Sequence, residues 1–291
     1  MNIMTVAEAA KKWGMSERSV RAHCQRGDVV GACLVGKTWT IPEEAKKPRR
    51  KNGNATLASV LRREKENKTS GGIYHKIQVE MTYNSNHIEG NKLTFEQTRY
   101  IFETNTIGFD GVVNVDDVVE TANHFRCVDM IIDKYSKKLS ERFIKKLHAV
   151  LTGGTKKSRE EWFNVGEYKK LPNEVGGKIT SSPEEVALKM KELISSYNSL
   201  EKVTFDDVLD FHYKFESIHP FQDGNGRVGR LIMFKECLRL GYVPFIIDDE
   251  LKIYYYRGLD EWTKERGYLR DTCLAAQDKF KTALSYFKID F

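Results

Sequence analysis

Apolar residues recur at helical spacing along most of the chain. Residues 204–218 (TFDDVLDFHYKFESI) carry apolar side chains three and four positions apart, which predicts an amphipathic helix. Residues 227–240 (RVGRLIMFKECLRL) repeat this spacing, and Gly241 follows as a residue that readily forms a left-handed helix cap. Residues 139–151 and 182–200 predict two further helices. The pattern therefore indicates a mostly helical protein.

The first fifty residues show a different pattern, two short helices followed by a hairpin. The helices are predicted over residues 5–12 and 16–25, with Gly14 in the turn between them. Residues 32–35 and 38–41 are predicted to form the two strands. This order resembles the winged helix-turn-helix of excisionase and MerR-type proteins.

Charge separates this segment from the rest of the chain. Residues 1–51 contain 11 Lys and Arg against 5 Asp and Glu, while the remainder holds 36 of each, so the net charge of +6 lies here. The resemblance implies that Arg18 and Arg21 enter a DNA major groove while Lys37 contacts phosphate. Alternatively, the arginines only solvate a domain that contacts protein, and the sequence leaves both partners open.

Length and composition allow two domains. A chain of 291 residues with 40% hydrophobic residues can bury more than one core. We expect a winged helix-turn-helix domain over residues 1–47, a basic and polar linker over residues 48–67, and a helical domain with a short β-hairpin over residues 68–291.

Several features that would indicate another class of protein are missing from the sequence. It has no apolar run of 18 residues, no signal peptide and no lipidation motif, so we expect a soluble cytoplasmic protein without membrane contact. The five cysteines are scattered and form no CxxC pair, which indicates reduced core cysteines rather than disulfides or a zinc site.

The segment HPFQDGNGRVGR, residues 219–230, concentrates the chemistry of the chain. Its glycines open the predicted helix, where backbone N–H groups lack intrahelical partners and attract anions. Arg227 and Arg230 fall in the first turn, where the helix dipole disfavours cations unless an anion is also bound. The segment therefore predicts a polyphosphate site.

Other residues of this segment suit catalysis at such a site. His219 precedes the anion-binding loop and belongs to the residue type that titrates near neutrality, as a general base requires. Asp223 offers a hard oxygen ligand for Mg²⁺, and Asn225 offers a side-chain donor. Phe221 is the predicted core anchor of the loop.

Two simpler interpretations fit the same residues. A loop rich in Gly, Asn and Asp before a helix is also typical of a plain turn with a helix cap. Residues 224–229 satisfy the dinucleotide-binding pattern GxGxxG, but that pattern requires a preceding strand, and a helix is predicted there. The context excludes dinucleotide binding, and the joint spacing of reactive residues favours a catalytic loop over a plain turn.

The segment matches the signature HPFx(D/E)GN(G/K)RxxR at every defined position, so the chain resembles the Fic-domain enzymes. The resemblance implies transfer of AMP from ATP to a Ser, Thr or Tyr hydroxyl of a target protein, with release of diphosphate. It implies His219 as the base and Asp223 as the ligand of Mg²⁺ or Mn²⁺. The implied nucleotide-binding residues are Phe221, Asp223, Gly224, Asn225, Gly226, Arg227 and Arg230.

A second motif lies upstream, in a helix predicted near residues 75–90. Glu89 falls at its C-terminus, where the helix dipole disfavours a carboxylate unless a cation pairs with it. Ser85, Glu89 and Gly90 match the Fic inhibitory motif (S/T)xxxE(G/N). The resemblance implies that Glu89 pairs with Arg230 and blocks the γ-phosphate position in cis; the alternative is a surface glutamate before a capping glycine.

Two further segments resemble parts of a Fic domain. Residues 166–170 and 173–179 resemble the flap hairpin that pairs with the target, although Lys169 stands where the family usually has arginine. Tyr255 and Tyr256 fall where the family places a helix near the adenine pocket. Stacking on the base is expected of one of them, with core packing as the alternative.

The leading hypothesis is an autoinhibited adenylyltransferase that uses ATP with Mg²⁺ or Mn²⁺ and modifies a target protein and itself. One alternative is a DNA-binding regulator whose Fic domain senses nucleotide. Another is a bidirectional enzyme in which Glu89 also directs removal of AMP. A DNA contact through residues 1–51 and a homodimer are compatible with the sequence, which names neither the target nor the oligomeric state.

Overall fold

The computed structural model describes residues 3–25, 28–36, 38–48, 56–108 and 110–289. Over these residues the chain forms twelve α-helices and five short strands. It divides into two compact units, Met1–Asn54 and Ala55–Phe291. The predicted mostly helical fold is confirmed.

The first unit places two helices beside a small antiparallel sheet. Its elements are β1 (Ile3–Met4), α1 (Val6–Trp13), α2 (Glu17–Gln25), β2 (Cys33–Val35) and β3 (Thr38–Pro42), with strand order β1-β3-β2. Helix α1 begins at a capping box between Thr5 and Glu8 and ends at Gly14, whose φ of 61° favours glycine. Ala9, Val20 and Ile41 are fully buried in its own core. The predicted helices and hairpin lie in this unit, and their likeness to a winged helix-turn-helix stays a prediction.

The second unit is a helical bundle with one short hairpin. Its elements are α3 (Leu57–Glu66), α4 (Ile73–Ile88), α5 (Phe95–Thr104), α6 (Val115–Lys134), α7 (Glu141–Thr152), β4 (Glu174–Val175), β5 (Lys178–Ile179), α8 (Pro183–Ser199), α9 (Phe205–Ile218), α10 (Asn225–Leu240), α11 (Asp249–Glu261) and α12 (Gly267–Tyr286). No helix among the described residues is both long and apolar enough to span a bilayer.

Helix α10 forms the centre of this bundle. Every residue from Arg227 to Leu238 is buried, polar ones included, because α4, α6, α7 and α9 surround the helix. Lys235 and Glu236, both almost fully buried, pair at 2.7 Å, and Glu236 also accepts from Tyr197 Oη at 2.9 Å. Since both ions are paired and hydrogen-bonded, their burial is tolerated. The central position of α10 holds its N-terminal turn rigidly.

The linker predicted over residues 48–67 is wrong in its second half. Residues 57–66 form α3, whose Leu57 and Leu61 are fully buried in the core of the second unit. Arg62 and Lys65 bind the end of α6, with Lys65 Nζ 2.8 Å from an Asp133 carboxylate oxygen. The charged residues give α3 the composition of a linker, although two of them bind α6 and so hold the helix against the core. Residues 49–55 of the predicted linker lie outside the described part of the chain.

The cysteines are all free, as predicted. Four are buried, but Cys33 lies exposed on β2, which corrects its assignment to a core.

Candidate active site

The junction between α9 and α10 forms a tight loop closed by one amide side chain. His219 ends α9 in the left-handed conformation, with φ 51°, and Gly224 opens α10 with φ 78°. Asn225 Oδ1 accepts from the Phe221 N–H at 2.8 Å, while its Nδ2 donates to the Phe221 carbonyl at 2.8 Å. The Phe221 ring is fully buried and stacks on His148 at 4.0 Å between centroids. The loop is thus fixed to the core at its midpoint.

His219 is held as a neutral base. Its side chain is 15% exposed, and its Nδ1 makes no well-formed hydrogen bond among the described residues. Burial, reinforced by the charge of Lys169, lowers the pKa of His219 to about 4. The imidazole is therefore unprotonated at neutral pH and ready to accept a proton.

Arg230 and Glu89 form a buried ion pair between α10 and the end of α4. The Arg230 NH2 donates to Glu89 Oε1 at 2.6 Å and to the Ser85 carbonyl at 2.9 Å, while Nε donates to Ser85 Oγ at 3.0 Å. Burial alone would raise the pKa of Glu89, but the charge of Arg230 lowers it below its ordinary value. Both members of the pair are therefore charged, and their contact is a charge-assisted hydrogen bond.

Gly226 explains how Glu89 reaches this position. A Cβ at residue 226 would overlap Glu89 Oε1 and crowd Arg230 NH1. The Glu89 carboxylate therefore lies directly over the backbone of the first turn of α10, where an anion is favoured. A carboxylate thus occupies part of the anion site predicted for phosphate.

Asp223 and Arg227 also have protein partners. Arg227, 3% exposed, places NH1 2.8 Å from Glu120 Oε2 and NH2 3.8 Å from Asp223 Oδ1. Asp223 Oδ1 accepts from the Gly224 N–H at 2.6 Å, and Oδ2 pairs with Lys157 Nζ. Burial would raise the pKa of Asp223, but Arg227 and Lys157 lower it, so the carboxylate is ionised. The sequence did not predict Glu120 and Lys157 as partners of this site, because no motif surrounds either residue.

One buried acid beside His219 was also missed. Glu216 Oε2 lies 4.0 Å from His219 Nδ1, and burial raises the pKa of Glu216 to about 8. Its Oε1, together with Nδ1 of His212 and of His219, has no hydrogen-bond partner among the described residues. Residues 212, 216 and 219 follow helical spacing on α9, so their periodicity could have revealed this cluster.

The predicted flap lies beside this loop. Strands β4 and β5 pair antiparallel, Glu174 opposite Ile179, and Ile179 is 85% exposed. The Leu171 N–H donates to Gln222 Oε1 at 3.2 Å, which brings the segment before β4 against the signature loop.

The two predicted adenine-stacking tyrosines have different environments. Tyr255 is fully buried and its hydroxyl lies 2.6 Å from His212 Nε2, so the structure assigns it to the core rather than to a base-stacking position. Tyr256 is 39% exposed and keeps an accessible ring.

The predicted DNA-binding residues lie on the first unit. Arg18 and Arg21 are exposed on α2, and Arg21 pairs with Glu17 at 3.1 Å. Lys37 lies outside the described residues. Their contact with DNA stays a prediction.

The donor set for a metal ion is small. The described residues contain no group of three or more His, Cys, Asp and Glu side chains arranged to hold an ion. Asp223 supplies one ionised carboxylate beside the anion site. Mg²⁺ commonly takes one or two carboxylates and completes its shell with substrate phosphates and water, so this donor set fits Mg²⁺ delivered with a nucleotide.

Comparisons with known proteins agree with this geometry. Residues 138–237 match the model of the Fic/DOC family. The protein adenylyltransferase Fic of Drosophila mojavensis is 31% identical over 211 residues, and that of Drosophila melanogaster is 31% identical over 209 residues; each match covers 69% of this chain and 38% of the relative. The chain thus spans about two fifths of these curated relatives.

Solved structures show the same fold. A Fic domain-containing signalling protein from Bacteroides thetaiotaomicron superposes with a TM-score of 0.62 and 26% identity, covering 78% of this chain and 94% of that one. Fic-1 of C. elegans, residues 134–508, superposes with a TM-score of 0.61 and 21% identity over 79% of this chain and 71% of that one. The second unit therefore contains a Fic domain.

Proposed function

We propose that this chain is a protein adenylyltransferase that moves AMP from ATP to a Ser, Thr or Tyr hydroxyl of a target protein or of itself. The observation that carries the proposal is the neutral imidazole of His219 on the same loop as the anion-binding turn that opens α10. Relatives that bear the name protein adenylyltransferase support the reaction class.

The proposed reaction is one substitution at the α-phosphorus. His219 accepts the proton of the target hydroxyl, and the freed oxygen forms a bond to the α-phosphorus. The bond from that phosphorus to the bridging α,β oxygen breaks, and diphosphate leaves with the electron pair. Arg227 and Arg230 would hold the phosphates, and the backbone amides at Gly224 to Gly226 would stabilise the developing charge.

Asp223 would hold Mg²⁺, or Mn²⁺, against the phosphates. The ion, when bound, neutralises charge on the phosphates and so favours departure of diphosphate. Lys157 pairs with the same carboxylate and must release Oδ2 first. Because Lys157 is 60% exposed, its ammonium can move into water at little cost.

Glu89 would inhibit the reaction by pairing with Arg230 and by occupying part of the phosphate site. It holds Arg230 at 2.6 Å and covers the backbone at Gly226, where the polyphosphate is expected. A nucleotide must therefore bind without its full set of contacts or displace the glutamate. Removing the Glu89 side chain should release transfer.

The test compares wild type, Glu89→Gly and Glu89→Gly/His219→Ala, incubated with α-³²P-ATP and Mg²⁺. We expect label on the protein itself and in a cell lysate at least tenfold stronger in Glu89→Gly than in wild type, because Arg230 is freed, and lost in the double variant, because the base is gone. Glu66→Gly serves as a matched control, since Glu66 is an exposed glutamate in the last turn of α3.

Folding and ATP binding of each variant are checked by circular dichroism and calorimetry. If folded Glu89→Gly binds ATP without transferring label, the proposal is wrong, and a nucleotide-sensing regulator becomes the better hypothesis. Release of AMP from a premodified protein, lost in Glu89→Gly, would instead indicate the bidirectional enzyme.

A further inference from the structure

We propose that Lys169 is a positioning residue that ties the β4–β5 hairpin, called the flap from here on, to the chain around His219 and keeps an uncompensated positive charge beside that histidine. The inference rests on the proposed function, in which His219 is the base and the flap presents the target. It assigns a role to a position where the sequence resemblance offered none.

The lysine is buried and fully hydrogen-bonded. Lys169 is 3% exposed, and its Nζ donates to Asn173 Oδ1 at 2.6 Å, to Thr180 Oγ1 at 2.7 Å and to the Ile218 carbonyl at 3.4 Å. Asn173 and Thr180 stand at the two ends of the β4–β5 hairpin, and Ile218 immediately precedes His219. One ammonium group therefore joins both ends of the flap to the end of α9.

Neighbouring contacts repeat the same connection. The Lys169 N–H donates to the Pro220 carbonyl at 2.9 Å, and Asn173 Nδ2 donates to the Phe221 carbonyl at 3.0 Å. The flap thus follows the backbone on both sides of His219. Any displacement of the flap would disturb the geometry of the base, so the two parts move together.

The charge of Lys169 lacks an acidic partner. All three acceptors of its Nζ are neutral oxygens, and no carboxylate pairs with it among the described residues. Burial, and then the charge of Lys189, lower the pKa of Lys169 to about 8, so most molecules keep the proton at pH 7. The field of this ammonium is therefore not cancelled locally and acts on His219.

Four charged or titratable groups act on His219 from the surrounding elements. They are Lys169 before the flap, Glu216 on α9, Glu89 at the end of α4 and Asp223 in the signature loop. Burial and Lys169 lower the pKa of His219, while the Glu216 backbone and the charges of Glu89 and Asp223 raise it. The Glu216 side chain, whose own pKa is raised to about 8, is largely protonated at pH 7. Lys169 is the one cation of this set, so removing its charge should let His219 protonate at higher pH.

The decisive experiment is a histidine-detected NMR titration of the full chain with ¹³C-labelled histidine. Lys169→Gln removes the charge and leaves a shorter amide that reaches only part of the acceptor set, and Lys169→Arg retains the charge. We expect the pKa of His219 to rise by about one pH unit in Lys169→Gln and to stay near the wild-type value in Lys169→Arg. Lys189→Gln is the matched control, because Lys189 pairs with Glu185 and its loss removes a positive charge while that of Lys169 stays in place.

The second readout is hydrogen exchange at the flap. Amides of residues 171–180 should exchange at least tenfold faster in Lys169→Gln, because a neutral donor on a shorter side chain cannot span the same three acceptors. Faster exchange with an unchanged His219 pKa would overturn the proposal, since it would leave Lys169 as a tether without an electrostatic role. No change in either readout would overturn it as well.

If Lys169→Gln does not fold, a comparison of wild type with Lys169→Arg tests the role of the Lys169 charge instead. Between pH 7 and 9 wild type loses the Lys169 proton, so flap exchange corrected for its intrinsic pH dependence should rise. The arginine keeps its proton over this range and should show no such rise. Equal pH dependence in the two proteins would overturn the proposal.

Activity separates this inference from the proposed function. In the Glu89→Gly background, Lys169→Gln should move the acid limb of kcat/KM to higher pH by as much as the His219 pKa rises, with KM for ATP unchanged. If Glu89→Gly transfers no label, the proposed function fails, and the NMR titration still decides the role of Lys169.

Discussion

Burial acts on His219 and Glu216 in opposite directions, although the two side chains are neighbours. It lowers the pKa of His219 to about 4 and raises that of Glu216 to about 8, so both are uncharged at neutral pH. Well above pH 6.5 the histidine is neutral whether the chain is folded or unfolded, whereas Glu216 loses its proton more readily when unfolded. The contribution of Glu216 to stability should therefore fall between pH 6.5 and 8, by up to about 1.4 kcal/mol per pH unit.

Glu216→Gln should remove that contribution. We expect the urea midpoint of wild type to fall relative to that of Glu216→Gln between pH 6.5 and 8, because the buried histidines contribute equally to both proteins. Glu192→Gln, at an exposed glutamate on α8, is the control and should follow wild type. Parallel curves for wild type and Glu216→Gln would contradict the assignment of a protonated Glu216.

The sequence predicted candidate site residues in the loop but not what their side chains contact. His219, Asp223 and the two arginines lie together because one short loop holds them. Their partners Glu120 and Lys157 come from α6 and from a turn after α7, far away in sequence. The burial of Tyr255 could not be predicted either, because consecutive aromatic residues on a helix do not indicate which of them faces the core.

At the scale of elements, α4 ends at a glycine that controls the direction of Glu89. Gly90 has φ 97°, a conformation that side chains other than glycine adopt only with strain, and no atom lies within 4 Å of a Cβ added there. Gly90→Ala should therefore lower the free energy of unfolding by about 1 kcal/mol through backbone strain alone. Urea denaturation measures this, with Gly90→Asn as the control, because asparagine tolerates positive φ better. Equal losses for both variants would contradict this explanation.

The elements themselves were predictable where periodicity was undisturbed by charge. The helices 204–218 and 227–240 were confirmed within a residue or two by α9 and α10. Helix α3 was missed because its second half, RREKE, consists only of charged residues, as a linker does, although Leu57, Val60 and Leu61 precede it. That α10 is buried on every side could not be read from one segment, since it depends on four other helices.

At the scale of the whole molecule, charge and chemistry lie in different units. Residues 1–51 carry the entire net charge of +6, and the signature loop lies in the second unit. The full chain should therefore bind a double-stranded DNA column at low salt and elute as salt rises, because bound counterions compete for the phosphates. A fragment of residues 55–291 has its own core and should pass through.

Arg18→Gln/Arg21→Gln in the full chain provides the matched variant, since both side chains are exposed and their loss should not affect folding. We expect it to elute at lower salt than wild type. Equal retention of the fragment and the full chain would place the contact outside the first unit.

Arg230 and Glu89 belong to one unit of one chain, so their encounter is intramolecular. Its strength is set by an effective concentration fixed by the fold, and neither dilution nor overproduction of the protein alters it. An enzyme governed in this way would respond to the supply of its nucleotide rather than to its own abundance. Doubling the number of molecules would double a basal rate without changing the fraction of molecules in which the Arg230–Glu89 pair is broken.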